Sequence, residues 1–347
     1  MLISRTPFRF SLIGGGSDLP AYYTEYGPAK IISMTLSASM YVTYSPRDLY
    51  SDRGAISNLI RLSYTQTENV DRIQDLKHDL VRSVLETLRY ECATDSDFES
   101  FEMTTIADIP SRGSGLGSSS ALIVGILKLF LPKSGGAIPL ENLANLAFRI
   151  ETEKLGKNIG FQDHYSATFG GLRKYHRKEY YVDAMPHFNK DPRLVGHDLA
   201  YHLCAFRLPV NRSSDAANVP EQQTLNEMKK KMKVRAQYIT ETVDMVDDMW
   251  RALEKRDFGD VGRILGKAWE LKKASHDIID KNLDRLYNLG IEAGALAGKV
   301  SGSMSGGAGH LFFLAYPDDH DRIRQAMKEL VEMRVEYYPH GVTVTRI

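Results

Sequence analysis

With only two cysteines in 347 residues, Cys92 and Cys204, the chain can build neither a disulfide framework nor a cysteine-based zinc cluster, and both read as core thiols. Charge of one sign is missing too. The 44 Lys+Arg balance 44 Asp+Glu, so no broad field draws a nucleic-acid backbone or an anionic membrane, and neither is expected as a partner. The longest apolar run, Ala121–Leu131, is interrupted by Lys128 and is too short for a bilayer. Met1–Ser17 carries Arg5 and Arg9 among its apolar residues, so no signal peptide is expected and the cytoplasm is the expected compartment. Repeats and low-complexity tracts are absent. So are the standard P-loop, the G-x-G-x-x-G fingerprint, H-E-x-x-H and G-x-S-x-G, which leaves the common nucleotide, zinc and serine-hydrolase readings without support.

What is present describes a globular protein: 43% hydrophobic and 25% charged residues, in a chain long enough for two domains. The composition shift near Pro186–Leu194 divides it into 1–190 and 191–347. Strands are expected over Met1–Ile13, Ala29–Tyr44, Phe98–Ala107, Leu311–Tyr316 and Val342–Ile347. Helical spacing marks Ile73–Tyr90, Ala121–Leu131, Leu140–Leu155 and Leu283–Leu296. Residues between Asp191 and Pro220 look irregular, and the charged stretch Glu221–Lys273 reads as two or three exposed helices.

One loop carries chemistry by itself. Gly113, Ser114, Gly115, Leu116, Gly117, Ser118, Ser119 and Ser120 lead into the apolar run from Ala121. Glycines let a phosphate approach the backbone, a helix N-terminus offers unpaired N–H donors, and a serine hydroxyl is a hard ligand for a cation. An ordinary serine N-cap explains the same residues.

Three segments together resemble the GHMP kinases, the superfamily of galactokinase, homoserine kinase, mevalonate kinase and phosphomevalonate kinase. They are Arg5 to Asp18 (RTPFRFSLIGGGSD), Pro110 to Ala121 (PSRGSGLGSSSA) and Lys299 to Gly309 (KVSGSMSGGAG), in family order across nearly the whole chain. Gly14, Gly15 and Gly16 followed by Ser17, Asp18, Leu19 and Pro20, with Gly160 to Tyr165 (GFQDHY) and Ala268 to Lys273 (AWELKK), resemble the branch acting on D-glycero-D-manno-heptose 7-phosphate.

The resemblance implies an α+β, two-domain fold: an N-terminal domain of the ribosomal-protein-S5 domain-2 type, a ferredoxin-like C-terminal domain, and the active site between them. It implies ATP and Mg2+ as cofactors, and a sugar phosphate as the small-molecule partner of a monomer or homodimer. The expected product is the 1,7-bisphosphate, on the way to nucleotide-heptose for a capsule, S-layer or lipopolysaccharide. A kinase of L-fucose, galactose or mannose, or a non-catalytic sugar sensor, are the alternatives.

Position by position, Asp163 matches the catalytic aspartate, Arg9 the basic residue near the transferred phosphoryl group, and Ser119 and Glu151 the magnesium ligands. Arg112 and Gly113–Ser120 match the phosphate loop; Gly14, Gly15, Gly16, Ser17, Asp18, Gly306 and Gly307 match sugar-binding positions. The chemistry suits these types: magnesium takes hard oxygens, a carboxylate aligns or deprotonates a hydroxyl, and arginine balances charge on the equatorial oxygens. The third segment departs from the family's near-continuous glycines, and Met304 is expected to narrow that loop. Arg112, Arg173, Lys174 and Arg177 are candidates to hold the distal phosphate, Arg212 with Ser213 and Ser214 resembles a family segment, and Lys229–Lys231 with Lys233 and Arg235 read as a solvated helix face.

Overall fold

The computed structural model describes residues 1–47, 59–91, 100–110, 114–131, 138–178, 181–185, 191–209, 225–275, 281–301 and 309–347. Cys92, Arg112, Gly113, Arg212–Ser214, Met304, Gly306 and Gly307 lie outside them, as does the side chain of Lys229.

The first part of the chain runs β1 (Leu2–Ile13), α1 (Pro20–Tyr23), β2 (Ala29–Pro46), β3 (Ile60–Ser63), β4 (Thr67–Val70), α2 (Asp79–Glu91) and β5 (Phe101–Ala107). It continues with α3 (Ser118–Phe130), α4 (Leu140–Arg149), α5 (Gln162–Phe169), β6 (Leu172–Lys178) and β7 (Tyr181–Met185). The second part holds α6 (Pro192–Tyr201), β8 (Leu203–Arg207), α7 (Leu225–Asp244), α8 (Val246–Lys255), α9 (Phe258–Ala274) and α10 (Lys281–Glu292). It ends with β9 (Ala297–Ser301), β10 (His310–Leu314), α11 (His320–Ala326), β11 (Val331–Met333) and β12 (Thr343–Arg346).

Eight of these strands form a sheet ordered β12-β1-β2-β5-β3-β4, with β6 and β7 added beside the first half of β2. The other four form an antiparallel sheet, β11-β8-β10-β9. The last strand, β12, returns to the first sheet and pairs with β1, Leu2 opposite Arg346. Strand β1 is the hinge of the arrangement: Phe10 stacks on Phe312 of β10 at 4.1 Å between ring centroids, so the two sheets share apolar contact. Such an aromatic pair adds about 0.5–1.5 kcal/mol beyond its buried area.

Two register irregularities in the β1–β2 pairing, between Pro7 and Arg9 and between Ser11 and Ile13, interrupt the ladder beside the residues that matter below. Bulges of this kind re-aim side chains and release carbonyls. Helix α3 covers the sheet; its residues from Ser120 to Leu127 are all buried, as expected for an apolar run without a polar face.

Several expectations need correction. The Ile73–Tyr90 spacing spans a short 3-10 turn, Ile73–Asp75, and a separate helix from Asp79, because Leu76 between them is extended. Leu140–Leu155 is α4 followed by a π-turn over Ile150–Lys154, and Leu140 itself is exposed. From Asp191 to Arg207 the stretch is not irregular: Asp191 caps α6 by accepting from the Arg193 amide, Pro192 occupies the first turn, and β8 follows, while 210–224 lie outside the described residues. Helices α7, α8 and α9 bury Met232, Val246, Trp250, Leu253, Leu265 and Trp269, so they form core as well as surface.

Candidate active site

Helix α3 begins at Ser118, three residues before the expected start, so Ser118, Ser119 and Ser120 form its first turn. Gly117 caps it with φ +80°, a conformation that favours glycine, and a Cβ there would reach 3.4 Å from the Asp163 carboxylate. The amides of that first turn have no intrahelical acceptor, which is the basis of an anion site.

Facing the turn is Glu151, fully buried on the π-turn. It accepts hydrogen bonds from Ser119 Oγ (2.6 Å), Ser120 Oγ (2.9 Å) and Lys157 Nζ (3.1 Å), and contacts His164 Nε2 at 2.9 Å. Burial pushes the carboxyl up, but the His164 bond and charge, then Lys157 and Ser119, outweigh it and hold the pKa at about 2. The carboxylate is therefore ionised at neutral pH.

Asp163 lies in the first turn of α5, and its neighbour His164 points the other way, onto Glu151. Arg9 on β1 donates through Nε (2.7 Å) and Nη2 (2.8 Å) to the two Asp163 oxygens, and through Nη1 to the Gly115 carbonyl at 2.6 Å. A two-point pair of this type fixes both side chains. Asp18 is buried beside them; burial, then repulsion from Asp163, raises its pKa against the Gly16 and Asp18 amides. Gly160 makes room for it, since a Cβ there would fall 1.7 Å from Asp18 Oδ2.

A cavity of about 280 Å3 opens from Arg9, Ser11, Gln162 and Gly14–Gly16 towards α7, α9 and β9. Lys299 of β9 crosses it and donates to the Ser11 (2.6 Å) and Leu12 (3.1 Å) carbonyls at the second β1 irregularity. Lys272 of α9 donates to the Val300 carbonyl at 3.0 Å, and Arg235 of α7 to the Ser275 carbonyl at 3.2 Å. Burial, then the Arg9 charge, lowers Lys272 to about 8; burial, then Lys272 and Arg9, pushes Lys299 well below its usual value. Among the described residues, Ser11 Oγ, Gln162 Oε1 and Trp269 Nε1 are buried in this wall without hydrogen-bond partners.

Comparison with known proteins agrees with this geometry. The description "GHMP kinases N terminal domain" matches residues 79–171, and "GHMP kinases C terminal" matches 249–332. A D-glycero-alpha-D-manno-heptose 7-phosphate kinase of Campylobacter jejuni subsp. jejuni serotype O:2 is 30% identical over 336 residues, covering 94% of this chain and 93% of that one.

The chain is a GHMP kinase.

Among solved structures, a D-glycero-D-manno-heptose 1-phosphate kinase from Bacteriodes thetaiotaomicron superimposes with a TM-score of 0.77 at 25% identity, over 100% of this chain and 99% of that one. Lactococcus lactis galactokinase complexed with galactose shares the fold alone, with a TM-score of 0.69 at 15% identity over 99% and 95%. The kinase thus has the two-part α+β architecture of its family and is a phosphotransferase acting on a hydroxyl.

Within this kinase, Arg9 pairs with Asp163 and Ser119 with Glu151, and Gly117, just before α3, lies against Asp163 and so links the two pairs. Leu116 is wholly buried, its carbonyl accepting from the Arg9 amide, and the buried Ser114 Oγ accepts from the Leu116 amide at 3.3 Å while its carbonyl contacts His310, so neither side chain is presented to a ligand. Ser17, wholly buried, donates to the Gly14 carbonyl at 2.7 Å and closes the glycine turn instead of facing the cavity. Three of the four distal-phosphate candidates lie within the described residues, and these are elsewhere. Arg173 donates to the Gly170 carbonyl, Lys174 pairs with Asp247, and Arg177 lies over the Tyr23 and Phe161 rings; none lines the cavity. Sequence reasoning missed His164, Gln162, Lys272 and Lys299, and Arg235, expected on a solvated helix face, lines the cavity instead. Lys272 had a signal: it sits three and four residues after Trp269 and Ala268, on the apolar stripe of α9.

Proposed function

We propose that the kinase transfers the γ-phosphoryl group of ATP to the anomeric O1 of D-glycero-D-manno-heptose 7-phosphate, giving the 1,7-bisphosphate for nucleotide-heptose synthesis. The observation that carries this reading is the cavity leading away from Asp163 and Arg9. Its described lining supplies Arg9, Arg235, Lys272 and Lys299 but no carboxylate, which suits a sugar bearing an anionic group.

Asp163 would receive the sugar hydroxyl and orient it for in-line attack while Arg9 holds the carboxylate. The orphaned Ser11 Oγ and Gln162 Oε1 offer acceptors for sugar hydroxyls, and Asp18 would hold Gly16 in place through its 2.9 Å bond from the Gly16 amide. The first turn of α3, with the preceding loop, would hold the ATP phosphates. Ser119 and Glu151 are two hard oxygen donors side by side, the latter ionised, and they fit magnesium. When bound, the ion would neutralise charge on the phosphate oxygens.

The direct check is ADP release with ATP, magnesium and the heptose phosphate, followed by phosphorus NMR of the product. Phosphorus coupled to the anomeric proton supports the assignment. Phosphate on another carbon, or turnover confined to galactose, mannose or L-fucose, overturns it.

A further inference from the structure

We propose that the two oxygens of the Glu151 carboxylate have separate tasks: His164, a positioning residue, pins Oε2 so that Oε1 faces a divalent cation, and Lys157 is the exchangeable charge that yields Oε1 to it. This rests on the reading of Ser119 and Glu151 as ion ligands above, and not on which sugar is used. Oε2 accepts from Ser120 Oγ at 2.9 Å and contacts His164 Nε2 at 2.9 Å. Oε1 accepts from Ser119 Oγ at 2.6 Å and from Lys157 Nζ at 3.1 Å. An ionised carboxylate only accepts, so the proton in the His164 contact sits on Nε2, which donates. The other ring nitrogen, Nδ1, is buried with no partner among the described residues, so no second contact draws the ring away from Glu151.

The two sides differ in burial as this division requires. Glu151 and His164 are wholly buried, and Phe148 meets the His164 ring edge-on at 5.6 Å between centroids, so the Oε2 side is locked by packing. The Lys157 side chain is 38% exposed and reaches Oε1 from the solvent side. Gly156, at φ +63°, turns the chain back after the π-turn, and the Lys157 amide donates to the Glu151 carbonyl at 3.1 Å. That turn sets a flexible four-carbon stem over the carboxylate, where its ammonium balances a buried charge that is costly to leave unpaired. A divalent cation brings twice the charge to the same oxygen, and Ser119, which gives its proton to Oε1, keeps its lone pairs for that ion. His164 directly follows Asp163 on α5, so the first turn of one helix fixes Asp163 on one side and Glu151 on the other.

The test is Mn2+ binding to the full chain without nucleotide, read by the relaxation of water protons. His164→Leu is expected to weaken Mn2+ binding about tenfold, and His164→Gln, whose amide can still donate to Oε2, to recover most of the loss. Lys157→Met is expected to tighten Mn2+ binding about tenfold while lowering the melting temperature of the ion-free protein by about 3 °C. Lys157→Arg, which keeps the competing charge, should stay within about threefold of the parent. Opposite shifts are the signature, because damage to the fold would move both residues' variants the same way. Weaker or unchanged binding in Lys157→Met, unchanged binding in His164→Leu, or no binding by either the parent or Lys157→Met overturns the inference. Thermal unfolding identifies a variant that fails to fold; should that be His164→Leu, the sign of the Lys157→Met shift decides. Neither ATP nor sugar enters the measurement. Opposite Mn2+ shifts without ADP release on the heptose phosphate would keep the inference and sink the proposed substrate, and ADP release with Mn2+ binding indifferent to both residues would do the reverse.

Discussion

Around Asp163 and Glu151, charges meet opposite charges: Arg9 clasps Asp163 at two points, and Lys157 pairs with Glu151, which His164 also contacts. Across the cavity, at α9 and β9, Lys272 and Lys299 rest on backbone carbonyls and repel each other and Arg9. The first region is organised before any ligand arrives. Preorganised groups of that kind stabilise charge as it develops in a transition state. The second region brings like charges close together, and under the proposed function it would receive the anionic end of the sugar. One region thus suits chemistry and the other recognition, and they meet at Arg9.

Removing the organised charge should have the largest effect. Asp163→Asn keeps the shape but loses the carboxylate, and kcat is expected to fall about 10³-fold, measured by ADP release at saturating sugar. Full turnover in this variant would remove Asp163 from the reaction. A smaller loss should follow when the same region is displaced instead of discharged. Gly160→Ala puts a Cβ where Asp18 Oδ2 now sits, and misplacing the neighbouring groups is expected to lower kcat/KM about 10²-fold, with the fold intact by circular dichroism.

The recognition region should instead respond to pH. Lys272, faced by Arg9 of β1, Lys299 of β9, and Arg235 and Tyr238 of α7, has its pKa lowered to about 8. Above that pH it loses its charge, and below about 6 a phosphate monoester loses one of its own. KM for the phosphorylated sugar should therefore be lowest between these limits and rise about tenfold by two pH units above the upper one, while KM for the dephosphorylated sugar stays flat.

The smallest effect has an unusual sign. A lysine whose folded pKa lies below its usual 10.5 weakens the fold at every pH below about 8, and the weakening is relieved as pH rises towards the usual value. Lys272→Met should accordingly stabilise the unliganded protein by about 1–2 kcal/mol at neutral pH, discounted for the open side of the cavity. The gain should shrink as alkaline titration discharges the native lysine. Urea unfolding at two pH values reads it, and a variant less stable than the parent at neutral pH would show that the Val300 contact outweighs the charge.

Legibility from sequence followed locality. The phosphate loop could be read because Gly117 and the three serines do their work within one turn, although the helix was placed three residues late. Arg9 and Asp163 are 154 residues apart, and only the resemblance joined them. Helix α5 was invisible because both its faces are buried, so Gln162, His164 and Tyr165 break the apolar periodicity. The recognition residues were missed for a physical reason. A lysine on a charged helix reads as solvated, and although its spacing from Ala268 and Trp269 puts Lys272 on the buried side of α9, nothing local reveals that it meets Lys299 from a distant strand. The tempting cluster Arg173, Lys174 and Arg177 lies on β6, where its side chains serve carbonyls, Asp247 and aromatic rings.

The most direct test of this division of labour is the ratio of kcat/KM for D-glycero-D-manno-heptose 7-phosphate to that for the same heptose without its phosphate, measured on the native protein. A ratio of about 100 or more, equivalent to about 2.7 kcal/mol, is the expected result. A ratio near one would contradict the account, because a cavity walled by Lys272, Lys299 and Arg235 would then be reading something other than the phosphate.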